Sequence, residues 1–211
     1  MNYKHVAIAG IHTGIGKTIV SAVLAEALIA DYWKPVQAGL DETDSDTIRN
    51  LIVGGDTRVH PEEFRLTQPL SPHAAAAIDG VTVDYTKFRF PETNKLLLVE
   101  TAGGLLSPIN HEATMADFIQ HFDLPVILVV KHYLGSINHT LLCCECLKQR
   151  NIPTIGIVIS GATNPMSEQF ITQYSKFPLI ATVPHFENLS KKSISELSAC
   201  LKDKISSYFY E

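Results

Sequence analysis

Apolar positions along this chain come in blocks. Short continuous apolar runs recur at residues 6–10, 32–36, 95–100, 125–130, 154–159 and 179–183. An apolar run of that length, without alternation, predicts a strand buried on both faces. Between the runs lie stretches with apolar positions at helical spacing. In residues 18–30, Val20, Val23, Leu24, Ala27 and Leu28 share one side. The same pattern predicts helices over 44–52, 72–78, 115–122, 137–149, 168–174 and 190–206, with Ser71 capping the helix that starts at Pro72. Doubly buried strands alternating with helices predict the α/β class: a doubly wound, mostly parallel sheet with helices on both faces. No Pro/Gly/Ser-rich linker or internal repeat divides the 211 residues, so the chain reads as one domain, 1–211. Such sheets bind ligands at the carboxyl ends of their strands. Functional residues are therefore expected just after Ile8, Val36, Val99, Val130 and Ile159.

Composition removes several function classes. A net charge of −5 supplies no basic field, so nucleic acid is not an expected partner. No apolar run reaches membrane-spanning length, and residues 1–10 read as a strand and not as an export signal. No membrane association is expected, and the cytoplasm is the expected compartment. Cys143, Cys144 and Cys146 crowd one segment while Cys200 lies far off, a spacing unlike paired zinc ligands; buried free thiols on a helix are the reading. No two of the histidines show metalloprotease spacing, and Ser71 with His73 lacks a nucleophile-elbow context. His12 reads as a loop residue lining a phosphate site, and His73 as packing or capping at a helix start. Tyr208, Phe209 and Tyr210 predict a tail docked on the body or on a partner.

The first predicted strand runs into Gly10-Ile11-His12-Thr13-Gly14-Ile15-Gly16-Lys17-Thr18, and a helix follows at once. Glycines let the backbone turn its N–H groups toward phosphate oxygens, and the helix N-terminus adds partial positive charge. Lys17 is placed to reach the β- and γ-phosphates, and the Thr18 hydroxyl to hold Mg²⁺. Gly10 to Gly16 is one residue longer than the usual phosphate-loop spacing, so it is the context of strand, glycines and helix that predicts a nucleotide site. Mg²⁺ takes oxygen ligands, often one or two carboxylates beside phosphates. Glu100 closes a buried strand ahead of Thr101-Ala102-Gly103-Gly104, where an unpaired carboxylate is costly. Asp46 follows the second strand and is the other metal candidate. Lys34, ahead of Pro35, is positioned to neutralise a transferring phosphoryl group or a carbamate.

Taken together, these motifs resemble the dethiobiotin synthetases, of the P-loop NTPase type. The resemblance also rests on Lys34-Pro35-Val36, Ser45-Asp46, Ser71-Pro72-His73, Val99-Glu100 with Ala102-Gly103-Gly104, Leu124-Pro125-Val126-Ile127-Leu128-Val129-Val130, and Leu134-Gly135-Ser136-Ile137-Asn138-His139-Thr140. It runs in order through nearly the whole chain. It implies an ATP-dependent cyclo-ligase of biotin biosynthesis: a carbamate forms from 7,8-diaminononanoate and CO₂ (or bicarbonate), ATP phosphorylates it, and the second amine closes the ureido ring. By the same resemblance Lys17 and Lys34 stabilise the reacting charge, and Thr18, Asp46 and Glu100 hold Mg²⁺. The nucleotide is expected against Gly14, Ile15, Gly16, Lys17, Thr18, Ile19, Asp46, Glu100, Thr101, Ala102, Gly103, Ser160, Gly161, Pro184, His185 and Phe186. The diamine is expected against Thr13, Lys34, Ala38, Leu134, Gly135 and Asn138. A homodimer is implied, with the substrate's carboxylate tail near the helix start at Ser136 of the partner copy, where unpaired N–H groups suit an anion. The chain departs from the family at four places. Gly14 replaces a frequent acid, Ala38 a serine, Thr101 a glycine, and Ser160-Gly161 stands where an asparagine usually reads adenine. The alternative is a partitioning-type, nucleotide-switched ATPase, whose related loop carries a lysine where this chain has His12. A related amide-forming synthetase would need a glutamine-hydrolysing partner or domain, and no such domain is expected within these 211 residues.

Overall fold

The computed structural model describes residues 3–55 and 57–209. Met1 and Asn2, and Tyr210 of the terminal aromatic trio, lie outside them. Elements follow in the order β1 (His5–Gly10), α1 (Lys17–Leu28), β2 (Asp31–Trp33), β3 (Val36–Ala38), α2 (Asp44–Leu51), β4 (Phe64–Leu66), α3 (Pro72–Ile78), β5 (Leu97–Glu100), α4 (Met115–His121), β6 (Val126–Val130), α5 (Ser136–Gln149), β7 (Thr154–Ser160), α6 (Pro165–Ser175), β8 (Leu179–Val183) and α7 (Lys191–Ser206).

Six strands form one sheet in the order β2-β5-β1-β6-β7-β8, every pairing parallel. The continuous apolar runs are its centre. Val6 through Ala9, Leu97 through Val99 and Val126 through Val130 are all fully buried, which requires cover on both faces. The chain runs from β1 out to β2, returns to β5 beside β1, then crosses to β6, β7 and β8. The crevice where this winding reverses lies at the carboxyl ends of β1 and its neighbours. Parallel register sets Ile8 opposite Glu100 and Gly10 opposite Val129.

Two local departures have physical causes. The strand expected over 32–36 is split: Asp31–Trp33 pairs with β5, while Val36–Ala38 pairs with Phe64–Leu66 in a separate two-stranded ribbon. Pro35 lies at the break and has no N–H to continue a ladder. Strand β4 has no long apolar signature in the sequence. Ser71 does sit at the N-cap of α3, yet its hydroxyl makes no cap bond; it lies 2.9 Å from His73 Nδ1 instead. At the last helix Ser190 is the N-cap and accepts from the Ser193 N–H ahead of α7. Phe209 is buried and packs edge-on against Tyr3, so the tail is docked on the body as far as it is described. Cys143, Cys144 and Cys146 ride on α5 as free thiols: Cys144 is buried, the other two half-buried, and burial pushes the thiols of Cys143 and Cys144 up to about 12 and about 11.

Candidate active site

The loop between β1 and α1 turns on two left-handed glycines, Gly14 (φ 70°) and Gly16 (φ 90°). Gly16 is the N-cap of α1 and has no side chain to offer, so no side-chain cap ties up the first N–H groups of the helix. A φ of 90° favours glycine at this position, and a Cβ at Gly16 would come within 2.4 Å of Ser160 Oγ, which would have to turn away.

A cleft of about 520 Å³ opens above this loop. Its lining includes Thr13, Gly14, Gly16, Lys17, Thr18, Lys34, Gln37, Ala38, Asp44, Glu100, Ala102, Gly103 and Ser107. Lys17 is buried, and its Nζ donates to the Gly103 carbonyl at 2.7 Å. Burial draws its ammonium down to about 8; nearby Lys34 pushes the same way, while Glu100 and Asp44 oppose.

Beside it lies a cluster of oxygens. Thr18 Oγ1 donates to Asp44 Oδ1 at 2.6 Å and stands 3.1 Å from Glu100 Oε1. Lys34, from the turn after β2, pairs with Glu100 Oε1 at 3.2 Å and with the carboxylate of Asp44. Lys34 is fully enclosed, which favours the neutral amine, but Glu100 and Asp44 outweigh burial and raise its pKa. Burial likewise works against the Asp44 carboxylate, and the Lys34 charge prevails, holding it below the ordinary carboxylate range.

The second carboxylate of this cluster is Asp44, where the sequence pointed to Asp46. Asp46 faces solvent; its Oδ2 accepts from Thr43 Oγ1 at 2.7 Å and its Oδ1 from Arg49 at 2.7 Å. The reason is helix capping. Thr43 is the N-cap of α2 and accepts from the Asp46 N–H, so Asp46 at the third helical position is engaged with its own cap. Asp44, at the first position, is left to turn inward. Thr43-Asp44-Ser45-Asp46 is a capping-box pattern, and that signal was available in the sequence. Ser21 and Tyr32, which bond to Glu100 from behind, carried no sequence signal.

The other expected residues divide clearly. Ile15 is buried under the loop, and Ile19 is half-buried against the core. Thr101 is buried, with its hydroxyl on the Ile8 carbonyl at 3.2 Å. Ser160 abuts Gly16, and the Gly161 N–H reaches the Val183 carbonyl, which ties the ends of β7 and β8 together. Pro184 and His185 are exposed beyond β8, and Phe186 is half-buried. Leu134, Gly135 and Asn138 are exposed at the start of α5, outside the cleft lining. A second hollow of about 430 Å³ lies between the loop and α5, with His12, Leu105, Leu106, His139 and Leu142 among its lining.

A parallel sheet, a glycine loop at the end of its central strand and a lysine with an oxygen cluster at the adjacent strand end define the P-loop class of nucleotide-binding proteins. Residues 4–193 match the family described as "AAA domain". Among solved structures, the cell division ATPase MinD of Pyrococcus furiosus superposes with a TM-score of 0.60 at 14% identity, covering 98% of this chain and 99% of that one. A ParA family ATPase from Chlorobium tepidum gives 0.55 at 13%, covering 100% and 98%. At such identities the likeness shows the fold. The chain is 47% identical over 197 residues to the ATP-dependent dethiobiotin synthetase BioD of Cytophaga hutchinsonii, covering 93% of this chain and 96% of that protein. It is 46% identical to the same-named protein of Christiangramia forsetii, over 90% and 93%, and 42% identical to that of Chlamydia pneumoniae, over 91% and 86%. This chain belongs to the ATP-dependent dethiobiotin synthetase family.

Proposed function

We propose that this chain closes the ureido ring of dethiobiotin from 7,8-diaminononanoate, CO₂ and ATP, with Mg²⁺ as cofactor. The observation that carries the reading is the meeting of Lys17, Lys34, Thr18, Asp44 and Glu100 in one cleft at the ends of β1 and β5. Two carboxylates and a hydroxyl are hard oxygen donors of the kind Mg²⁺ takes, so the residues fit that ion. Thr18, Asp44 and Glu100 would hold it, and when bound it supplies charge neutralisation to the phosphates. The loop N–H groups and Lys17 bind the triphosphate. Lys34 meets the carbamate, and Thr13 and Ala38 flank the diamine. A carbamate oxygen attacks the γ-phosphorus and ADP leaves; the second amine then attacks the carbonyl carbon, giving up a proton as phosphate departs. The part played by these residues is positioning and charge stabilisation, which carries most of the catalysis in phosphoryl transfer.

Leu106 and Leu142, which line the apolar hollow beside the loop, are each more than half exposed, and Leu134 at the start of α5 is fully exposed. Exposed large apolar side chains beside a site support a homodimer in which the start of α5 serves the neighbouring copy's substrate tail. Among the described residues no helix is long and apolar enough to cross a membrane, and use of ATP suits the cytoplasm.

The test is a coupled assay with diaminononanoate, bicarbonate, Mg²⁺ and ATP, following phosphate release and dethiobiotin by mass spectrometry. Phosphate release is expected only when diamine and bicarbonate are both present, one per dethiobiotin formed. Equal ATP hydrolysis without the diamine would overturn the reading and favour a nucleotide-switched ATPase.

A further inference from the structure

Glu100 uses its two oxygens differently. Oε1 faces the cleft, 3.1 Å from Thr18 Oγ1 and 3.2 Å from Lys34 Nζ. Oε2 faces the protein interior, where it accepts from Ser21 Oγ at 2.8 Å and from the Tyr32 hydroxyl at 3.2 Å. Both donors are completely buried, and neither lines the cleft. They arrive from different elements. Ser21 lies on α1 three residues after Thr18, on the same helix face. Tyr32 lies on β2, opposite Leu98 in the parallel register, and Glu100 is two residues further along β5, on the same face of the sheet.

At core positions an alanine or a phenylalanine would avoid the cost of burying a hydroxyl. Here each hydroxyl has the same partner atom, and together they hold the carboxylate by one oxygen from two directions. A carboxylate fixed in this way cannot rotate to exchange its oxygens. The other oxygen, which meets Thr18 and Lys34, is then held at the cleft wall beside Asp44, so the carboxylate itself does not have to turn when a ligand binds. We infer that Ser21 and Tyr32 are positioning residues that lock Glu100 for divalent-metal binding; this rests on the reading that Glu100 holds the Mg²⁺.

The experiment compares Tyr32→Phe, Ser21→Ala and the double variant with Glu100→Gln, all as the full chain. Three quantities are measured: Mn²⁺ affinity in the presence of ADP, by electron paramagnetic resonance of free Mn²⁺; the Mg²⁺ concentration for half-maximal turnover; and the Tm without metal or nucleotide. Each single variant is expected to weaken Mn²⁺ binding and raise the Mg²⁺ requirement by about tenfold, with more loss in the double variant and kcat at saturating Mg²⁺ little changed. A lower Tm with unchanged Mn²⁺ affinity, while Glu100→Gln shifts that affinity, would overturn the inference and leave the metal reading standing. If Glu100→Gln shifts neither metal measurement, the metal reading falls and the inference falls with it. Should Tyr32→Phe fail to fold, Ser21→Ala tests the same oxygen through its other donor.

Discussion

Lys17 is the residue on which the cleft most depends. Its ammonium is drawn in over Gly103 and its pKa is lowered to about 8 by burial, so triphosphate oxygens bound as proposed would meet a cation held with little surrounding water. Removing such a clamp costs on the order of 10²-fold or more in rate, and we expect Lys17→Ala to lose ring closure to at least that extent; activity within tenfold of wild type would contradict it. The two aspartates of α2 give a sharper comparison. Asp44→Asn is expected to raise the Mg²⁺ requirement about tenfold or more, since an amide keeps the shape and loses a hard anionic ligand. Asp46→Asn should leave the Mg²⁺ curve in place and lower the Tm slightly, because it weakens only the cap of α2 and the exposed pair with Arg49. A shift in the Asp46→Asn curve equal to that of Asp44→Asn would reverse the assignment. Where the base is expected, Ser160 is held against Gly16 and Gly161 has no side chain. Neither can make the paired contact that an amide offers to adenine N6 and N7. We expect CTP and GTP to be accepted within about tenfold of ATP in kcat/KM, one lost contact of ~1.4 kcal/mol being a factor of ten. A preference for ATP of a thousandfold would refute this.

Most elements were legible because they are long and apolar on both faces: β1, β5, β6, β7 and β8 fall where continuous runs predict them. The β3–β4 ribbon was not. Phe64–Leu66 is three residues long, and its pairing with Val36–Ala38 is a distant contact with no periodicity to announce it. The inward turn of Asp44 depends on which residue caps α2, a one-residue question that apolar spacing leaves open. Another element-scale device sits at the opposite end of β2 from Lys34. The buried Asp31 carboxylate accepts from the Arg58 N–H at 2.9 Å and Thr93 Oγ1 at 2.8 Å, with His60 Nε2 at 3.2 Å. This straps residues 58–60 along the strand, where the Tyr32 N–H bonds the Arg58 carbonyl and the His60 N–H the Tyr32 carbonyl, closing an edge otherwise open to pairing. Desolvation opposes the Asp31 charge, but these donors prevail and its pKa lies below the usual value. A depressed carboxylate contributes stability above its unfolded pKa and loses it as pH falls through the folded one. Asp31→Ala is therefore expected to cost about 1–3 kcal/mol near neutrality, with the gap to wild type closing below about pH 4. A gap that is constant from pH 7 to pH 3 in denaturant titrations would dismiss the strap.

For the whole molecule, the exposed side chains of Leu106, Leu134 and Leu142 predict self-association. Light scattering should give twice the chain mass, and Leu134→Glu with Leu142→Glu should give single copies with raised KM for the diamine. A wild-type monomer that is fully active at assay concentration would exclude the shared pocket. The strand order carries one further consequence, which concerns synthesis. Strand β1 precedes both of its sheet partners along the chain, is wholly apolar from Val6 to Ala9 and lies between residues 97–100 and 126–129 in the finished sheet. One edge therefore waits, unpaired, until residues 97–100 have been made, and the other until residues 126–129 follow. For that interval the nascent protein carries a sticky template and no assembled phosphate site. Productive folding then depends on the pace of elongation and on whatever shields the first strand until its partners arrive.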